Sequence, residues 1–290
     1  MQHRVSETQL FDLVQGLARK TRQEIEEANL AIADFEGVAR RYGAKFAWQE
    51  MDAGTDGHYI KDLRLITLNS RVSHQERRNF SFCHEFIHDR IVCDDDFYAV
   101  LHEFTEDMSD EEMEQVVERL CNIGAAELLI PSSEVEEAIK EQGFSIELIP
   151  DLCERFSASS IAVAFKLLSI AKHDCYLFIT EKREFEETGN QPILIHVKPD
   201  RVWHLWVVYS GSSPSAKYNM GRNYPIALGH LMYRVNENGG YVTRGEDDIP
   251  RRNSKKRRWE VKCECMAYKG WVFGFFHERE PISRNQLRLF

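Results

Sequence analysis

Apolar and polar residues follow two different periods along the first third of the chain. Between residues 8 and 42 apolar side chains recur every three or four positions, which predicts helical structure with a stop at Gly43. In segments 44–51 and 58–70 apolar and polar residues instead alternate, and the apolar ones include aromatic and branched side chains. This alternation predicts strands, and the glycine-rich stretch 52–57 predicts the turn that joins them.

Two further helices are predicted from their start signals. The Ser-x-x-Glu spacing of a capping box occurs at Ser73–Glu76 and again at Ser109–Glu112. The first box predicts a helix that continues to about Val92, and the second predicts one that reaches about Leu129. The predicted order is therefore helices, a small sheet and two more helices.

The second half of the chain changes in character near residues 171–175. Phe144–Ile170 predicts two helices around the turn Ser157–Ser159, which is the spacing of a helix-turn-helix. Beyond it, short aromatic-rich segments predict the strands of an antiparallel α+β domain. These segments are 175–180, 193–197, 202–210, 259–268 and 270–276.

Composition narrows the class of protein. A length of 290 residues suits about two domains, and 43% hydrophobic residues suffices for their cores. No apolar run approaches a membrane span, and the N-terminus lacks a signal-peptide pattern, so we expect a cytoplasmic protein without membrane contact. The seven cysteines are an odd number scattered along a long chain, which does not suit a disulfide framework, so we expect reduced thiols. A net charge of −10 argues against general nucleic-acid coating but allows a local basic patch.

The chemistry is concentrated in a His-Glu-x-x-His motif at residues 84–88. On a helix His84 and His88 point the same way, so both imidazoles can bind one zinc ion. Glu85 lies beside them as a candidate general base for a zinc-bound water. The alternative is an amphipathic helix whose histidines are incidental. Phe82, Phe86 and Ile87 oppose this, because they predict that the helix is partly buried.

A catalytic zinc needs a third protein ligand. Glu118 is favoured because it shares a helical stripe with Cys121, Asn122 and Ala125, whose small side chains allow a second helix to approach. Carboxylates in a loop or in the first turn of a helix are more simply explained by solvation or by the helix dipole. The other candidates weighed are Asp94, Asp95, Asp96, His102, Glu111, Glu112 and Glu114.

Two segments, RRNFSFCHEFIH from Arg77 and ERLCNIGAAELLIP from Glu118, together resemble the ImmA/IrrE family of bacterial metallopeptidases. Cys121 stands where that family usually has alanine, and Ile87 replaces a common small residue. The resemblance covers about residues 35–170. It implies that His84, His88 and Glu118 bind Zn²⁺ and that Glu85 is the general base. The sequence leaves Mn²⁺ open as the alternative ion.

The resemblance also implies a domain order and a substrate. The order is a zincin-like metallopeptidase domain at 1–135, a helix-turn-helix segment at 136–172 and a GAF-like sensor domain at 173–290. The implied activity is cleavage of a helix-turn-helix, XRE-type transcriptional repressor during DNA damage, stress or phage infection. The alternatives are a DNA-binding regulator whose degenerate peptidase core holds a structural zinc, and a small-molecule sensor that uses the peptidase part as a scaffold.

Two features could connect the chain to DNA. The second helix of the helix-turn-helix segment has one basic residue, Lys166. A helix that recognises DNA bases normally carries more basic or amide side chains. A cationic run at 251–259 combines basic side chains with an aromatic ring, which suits single-stranded DNA as an activator. The alternative is a solvated loop. The residues of the run are Arg251, Arg252, Lys255, Lys256, Arg257, Arg258 and Trp259.

Cys83 and Cys93 bracket the motif helix. A Cys93 thiolate could occupy the open zinc position and silence the enzyme as a thiol switch. The alternative is an ordinary small hydrophobic residue.

Overall fold

A computed structural model describes residues 5–186, 201–237, 242–251 and 259–278. These residues form two compact units. The first contains the chain up to Glu134 together with Cys153–Ser159, and the second contains Val135–Leu152 and the chain from Ser160 onward. The content is mixed α+β, as the sequence predicted.

The first unit contains helices around a three-stranded sheet. Its elements are α1 (Glu7–Glu27), α2 (Phe35–Arg41), β1 (Lys45–Gln49), β2 (Gly57–Ile60), a short 3₁₀ helix (Lys61–Leu63), β3 (Leu65–Asn69), α3 (Gln75–Cys93), α4 (Asp95–Thr105) and α5 (Asp110–Leu129). The next two helices are α6 (Ser132–Gln142) and α7 (Leu148–Phe156), each of which contributes residues to both units.

The N-terminal helical region is two helices rather than one continuous run. Asn29 adopts a left-handed conformation with φ of 53°, which ends helical geometry after α1. The Asp34 side chain then accepts a hydrogen bond from the Gly37 amide and caps α2. Gly43, with φ of 74°, follows α2 as the predicted stop.

The small sheet has the order β1-β3-β2, with β1 parallel and β2 antiparallel to β3. The predicted turn at 52–57 does link β1 to β2, but these two strands are not neighbours in the sheet, because β3 lies between them. The hairpin that does form joins β2 to β3 through the 3₁₀ helix and Arg64, whose φ is 45°. As a result β2 is an edge strand of this sheet.

The motif helix does not begin with the predicted capping box. Its N-cap is His74, one residue after Ser73, and no side chain caps it. The box is out of register, and the third helical residue is Arg77, which pairs with Asp56. The second box is confirmed: Ser109 caps α5 and exchanges hydrogen bonds with Glu112.

Aromatic packing fixes α3 in the core of the first unit. Phe82 and Phe86 are fully buried with ring centroids 5.5 Å apart, and Phe35 of α2 stacks on Phe82 at 4.7 Å. Ile87 is also fully buried, so the prediction that the motif helix is partly buried is confirmed.

Two helices with a turn at Ser157–Ser159 are present as predicted. They are α7 and α8 (Ser160–Ile170), and Ser157 adopts φ of 47° in the turn. Lys166 of α8 is buried. Within the described residues no helix is long and apolar enough to cross a membrane.

The second unit is built on a six-stranded antiparallel sheet of order β6-β5-β4-β9-β8-β7. Its elements are β4 (Cys175–Glu186), β5 (Arg201–Ser212), β6 (Tyr224–Pro225), α9 (Leu231–Glu237), β7 (Thr243–Asp248), β8 (Glu260–Tyr268) and β9 (Trp271–His277). The predicted strand at 193–197 lies outside the described residues. The sequence pattern did not predict β6, β7 or α9, and the GAF-like assignment of this region stays a prediction.

Candidate metal centre

The two motif histidines meet on one face of α3. Their spacing of four residues brings His84 Nε2 and His88 Nε2 to 3.3 Å from each other. Their side chains are 15% and 19% exposed, so the pair is largely shielded but still reachable from solvent.

Glu118 of α5 completes a group of three donors. Its Oε2 lies 3.2 Å from His84 Nε2, and its Oε1 lies 3.2 Å from His88 Nε2. A tetrahedral zinc ion with bonds of about 2.0–2.1 Å requires donor atoms about 3.3 Å apart. The two nitrogens are 3.3 Å apart, and each lies 3.2 Å from a different oxygen of the Glu118 carboxylate, so these separations are close to that requirement. Three protein side chains leave a fourth position for water or substrate. The residues present therefore fit a catalytic zinc ion.

Close packing of α5 on α3 brings Glu118 within reach. A Cβ atom on Gly124 would lie 2.9 Å from Ile87 Cγ2 and 3.1 Å from Val14 Cγ2. Cys121 and Ala125 are buried at the same face of α5. The stripe of small residues noted in the sequence is present, but its closest point of contact, Gly124, was not identified there. The sequence signal for this contact was a glycine further along the same helix as Glu118.

Glu85 lies between the metal-binding face and the edge strand β2. Its carboxylate accepts a hydrogen bond from the Tyr59 backbone N–H. A Cβ atom on Gly57 would lie 3.0 Å from Glu85 Cγ, so the strand passes directly over this side chain. Burial, and secondly repulsion from Glu118, raise the pKa of Glu85 to about 7.

A buried carboxylate next to the second histidine organises this region. Asp89 is fully buried and accepts two hydrogen bonds from the Arg64 guanidinium, at 3.0 and 2.9 Å. It also accepts one from the Tyr59 hydroxyl at 2.9 Å. The Tyr59 ring stacks on the His88 ring, with centroids 6.4 Å apart. Asp89 therefore fixes Tyr59, and Tyr59 limits the orientation of His88.

Sequence reasoning missed Tyr59, Arg64 and Asp89. The signal for Asp89 was an acidic residue directly after the second histidine, at a position where the α3 pattern is otherwise apolar. Nothing in the pattern indicated its partners, because they lie about 25 and 30 positions upstream.

Burial also affects the metal-binding histidines. Burial, followed by the proximity of His84, lowers the pKa of His88 to about 4, although the Glu118 charge opposes this shift. His88 is therefore neutral near pH 7, which is the form that can bind a metal ion.

Two of the other carboxylates weighed as third ligands have structural roles. Asp94 does not lie in a solvated loop, as the sequence suggested: its side chain accepts a hydrogen bond from Phe97 N at 2.9 Å and caps α4. Glu112 belongs to the capping box of α5. Within the described chain, the three-donor group at this centre consists of His84, His88 and Glu118. It includes none of the alternatives, which are Asp94, Asp95, Asp96, His102, Glu111, Glu112 and Glu114.

Cys93 is exposed at the last turn of α3. Its Sγ lies 3.8 Å from Asp89 Oδ1, and in the described part of the chain it is not a member of the three-donor group. Partial burial, and secondly the Asp89 charge, raise the pKa of the Cys93 thiol above its usual value. This geometry gives no support to the thiol switch.

The cationic run is described at its two ends. Arg252, Lys255, Lys256, Arg257 and Arg258 lie outside the described residues. Arg251 places its guanidinium 5.6 Å from the centre of the Trp259 ring, and Tyr218 contacts that ring edge-on at 5.2 Å. These residues line one cavity of about 730 Å³ in the second unit.

Comparisons with known proteins agree with this geometry. Residues 49–168, which contain the three donors and Glu85, match the family described as IrrE N-terminal-like domain, Peptidase_M78. Two curated relatives, each named "Radiation response metalloprotease IrrE", are 26% identical to the chain. The one from Deinococcus deserti aligns over 60% of this chain and 58% of its own length. The one from Deinococcus radiodurans aligns over 71% and 61%. The matched part thus spans about three fifths of these relatives.

A solved structure named "Mycobacterium tuberculosis transcriptional regulator" superposes with a TM-score of 0.56. It covers 90% of this chain and 76% of the other at 13% identity, so the likeness concerns the fold alone. The family match over residues 49–168 and the two curated relatives support the resemblance of this part of the chain to the ImmA/IrrE family.

Proposed function

We propose that this chain is a zinc-dependent endopeptidase of the gluzincin type, with His84, His88 and Glu118 as zinc ligands and Glu85 as general base. One observation carries the proposal: the two imidazole nitrogens lie 3.3 Å apart and each lies 3.2 Å from an oxygen of Glu118, next to the carboxylate of Glu85, which is outside this group. Mn²⁺ is the alternative ion, since the same side chains can bind it.

A bound zinc ion would lower the pKa of a coordinated water and polarise the carbonyl of the scissile peptide bond. Glu85 takes the proton from the attacking water and delivers it to the leaving amine. The charge of a bound divalent cation would lower the pKa of Glu85 below its raised value and so would favour the ionised carboxylate that acts as the base. Its hydrogen bond from Tyr59 N–H holds it in place.

The substrate peptide is proposed to bind in extended form along β2. Within the three-stranded sheet β2 pairs with β3 on one side, which leaves backbone groups on its other side for a peptide to pair with. The Tyr59 N–H that donates to Glu85 lies on that side, so a peptide paired there passes the general base.

The proposed substrate is a helix-turn-helix, XRE-type repressor, whose cleavage would switch on a DNA-damage, stress or antiphage response. The ImmA/IrrE resemblance supports this, and the relatives are named as radiation response metalloproteases. Single-stranded DNA is the proposed activator, bound through the cationic run Arg251–Trp259. Neutralising the six basic residues of the run is expected to abolish any stimulation of cleavage by single-stranded DNA. Unchanged stimulation would contradict this part of the proposal.

The test uses purified full-length protein with the helix-turn-helix protein encoded beside it, with and without single-stranded DNA. Glu85→Gln is expected to retain zinc but to lose cleavage, because glutamine keeps the shape and cannot accept the proton. Glu103→Gln, on α4, is a control that should cleave normally. Intact substrate with zinc-loaded wild-type protein and activating DNA would contradict the proposal.

The alternative function is a DNA-binding regulator with a degenerate peptidase core and a structural zinc ion. It is favoured by the two helices α7 and α8 and by the fold likeness to a protein named a transcriptional regulator. It is weakened by Lys166, the one basic residue of α8, which is buried and so is poorly placed to contact DNA. Operator binding that persists in Glu85→Gln, without any cleavage by wild type, would favour it.

A further inference from the structure

The second unit contains another group of metal-binding side chains. Cys175 opens β4 and is the direct cross-strand partner of His277, which ends β9. Partners in an antiparallel pair project on the same face of the sheet. His173, two residues before Cys175, places its Nε2 2.9 Å from His277 Nδ1. One ligand atom from each of the three residues lies within 4.8 Å of the other two.

A carboxylate lies behind this group in the position expected of a supporting residue. His277 turns its other nitrogen, Nε2, toward Glu264 Oε1 at 3.6 Å. Glu264 is buried and is itself held by Ser145 Oγ and the Ile146 amide, each at 3.0 Å. Metal-binding histidines usually donate their second ring N–H to a carboxylate of this kind, which fixes the tautomer and leaves the first nitrogen free for the metal.

The surroundings provide both shielding and access. The Phe144 ring contacts the rings of His173 and His277 edge-on, with centroids 4.9 and 5.9 Å away. His277 and Glu264 also line a cavity of about 480 Å³ in this unit. Phe144 lines the same cavity, so an ion could enter beside an aromatic ring that shields the site from bulk water.

We propose that His173, Cys175 and His277 form a second metal site, separate from the candidate peptidase centre, that takes Zn²⁺ or another transition metal that binds thiolate and imidazole. Two imidazoles and one thiolate form a donor set typical of such ions. Binding requires the two histidine nitrogens to separate from 2.9 Å to about 3.3 Å and the thiol to release its proton. The fourth position is left for water or for an exogenous ligand.

A hydrogen-bonded histidine pair in a polar core is the simpler alternative. It accounts for the contact of His173 with His277 and for the support by Glu264. It does not require a thiol at the cross-strand position, where the Cys175 Sγ lies 4.0 Å from the Tyr176 carbonyl oxygen. The thiol is therefore the component that distinguishes the two interpretations.

Cobalt distinguishes the two metal sites without the need to disable either. The full-length protein is stripped with a chelator and titrated with Co²⁺ under reducing conditions. A thiolate ligand gives an intense sulfur-to-cobalt charge-transfer absorption in the near ultraviolet, which the His-His-Glu group cannot give. The expected result is such a band, which stops growing by the second cobalt ion added per chain because both sites take up the ion, and which disappears on addition of excess Zn²⁺.

Three variants complete the test. Cys175→Ser is expected to abolish the band, and His173→Gln, at a partly exposed position, is expected to weaken cobalt binding at least tenfold. Cys265→Ser, at another buried thiol of the same sheet, should leave the band unchanged. If Cys175→Ser does not fold, as circular dichroism would reveal, His173→Gln decides the matter. A wild-type protein without the band, or a band unaffected by both Cys175→Ser and His173→Gln, overturns the proposal.

Discussion

Gly124 tests whether close packing of α5 on α3 creates the candidate metal centre. An alanine Cβ at this position would lie 2.9 Å from Ile87 Cγ2, about half an ångström closer than ordinary van der Waals contact. Ile87 is fully buried and branched at Cβ, so its methyl group cannot simply rotate away. The substitution Gly124→Ala must therefore push α5 away from α3, and Glu118 moves with it.

The control is Gly16→Ala in α1. A Cβ at Gly16 meets no atom within 4 Å, so this change should stabilise the protein by about 0.5–1 kcal/mol through helix propensity alone. Gly124→Ala gains the same propensity, but overpacking costs about 1–3 kcal/mol. Both variants gain the same helix propensity, so only the overpacking cost separates them. We therefore expect Gly124→Ala to be less stable than Gly16→Ala by about 1–3 kcal/mol.

The two variants should also differ in zinc affinity. Displacing a ligand by a few tenths of an ångström is expected to weaken zinc binding by about tenfold, comparable to the loss of a supporting residue. Thermal unfolding of the chelator-treated proteins measures the difference in stability, and competition with a fluorescent chelator measures the zinc affinity. The reasoning is refuted if Gly124→Ala is as stable as Gly16→Ala and binds zinc as tightly as wild type.

Three further predictions concern individual side chains. Glu118→Gln should weaken zinc binding more than about 100-fold, because even residues that only support a ligand contribute about 10–100-fold. Glu114→Gln on the same helix is the control. If chelator competition gives the two variants the same zinc affinity, Glu118 is not a ligand. Tyr59→Phe should destabilise the protein by about 1.5–3 kcal/mol, the worth of a hydrogen bond to the Asp89 carboxylate; an unchanged denaturation midpoint would contradict this. Native protein should react with a thiol reagent at Cys93 alone, since the other six cysteines are buried. Cys93→Ser should remove this reaction and leave cleavage unchanged. Faster cleavage by Cys93→Ser would instead support the thiol switch.

Local patterns were sufficient where neighbouring residues act together. The spacing of His84 and His88 placed both rings on one face of a helix, because helical geometry depends on positions a few residues apart. The capping box of α5 was predicted for the same reason. The box at Ser73 failed because a one-residue shift of the helix start removes the spacing on which it depends.

The order of strands could not be obtained from alternation alone. The segments 44–51 and 58–70 were correctly predicted to contain strands, but period-two alternation says which side chains share a face and nothing about which strands are neighbours. In the structure β3 lies between β1 and β2, and this order makes β2 the edge strand over Glu85.

By itself, the sequence determined the helix that carries His84, Glu85 and His88, and it favoured Glu118 as their partner from a stripe of small residues. Only the tertiary structure decided that the Glu118 carboxylate lies 3.2 Å from both imidazoles, and that Asp89 joins Arg64 and Tyr59 behind His88. It also brought together His173, Cys175 and His277, the last of which lies more than a hundred residues from the first. The physical reason is that periodicity constrains only groups within a few turns of chain, whereas contacts between distant segments depend on the packing of whole elements.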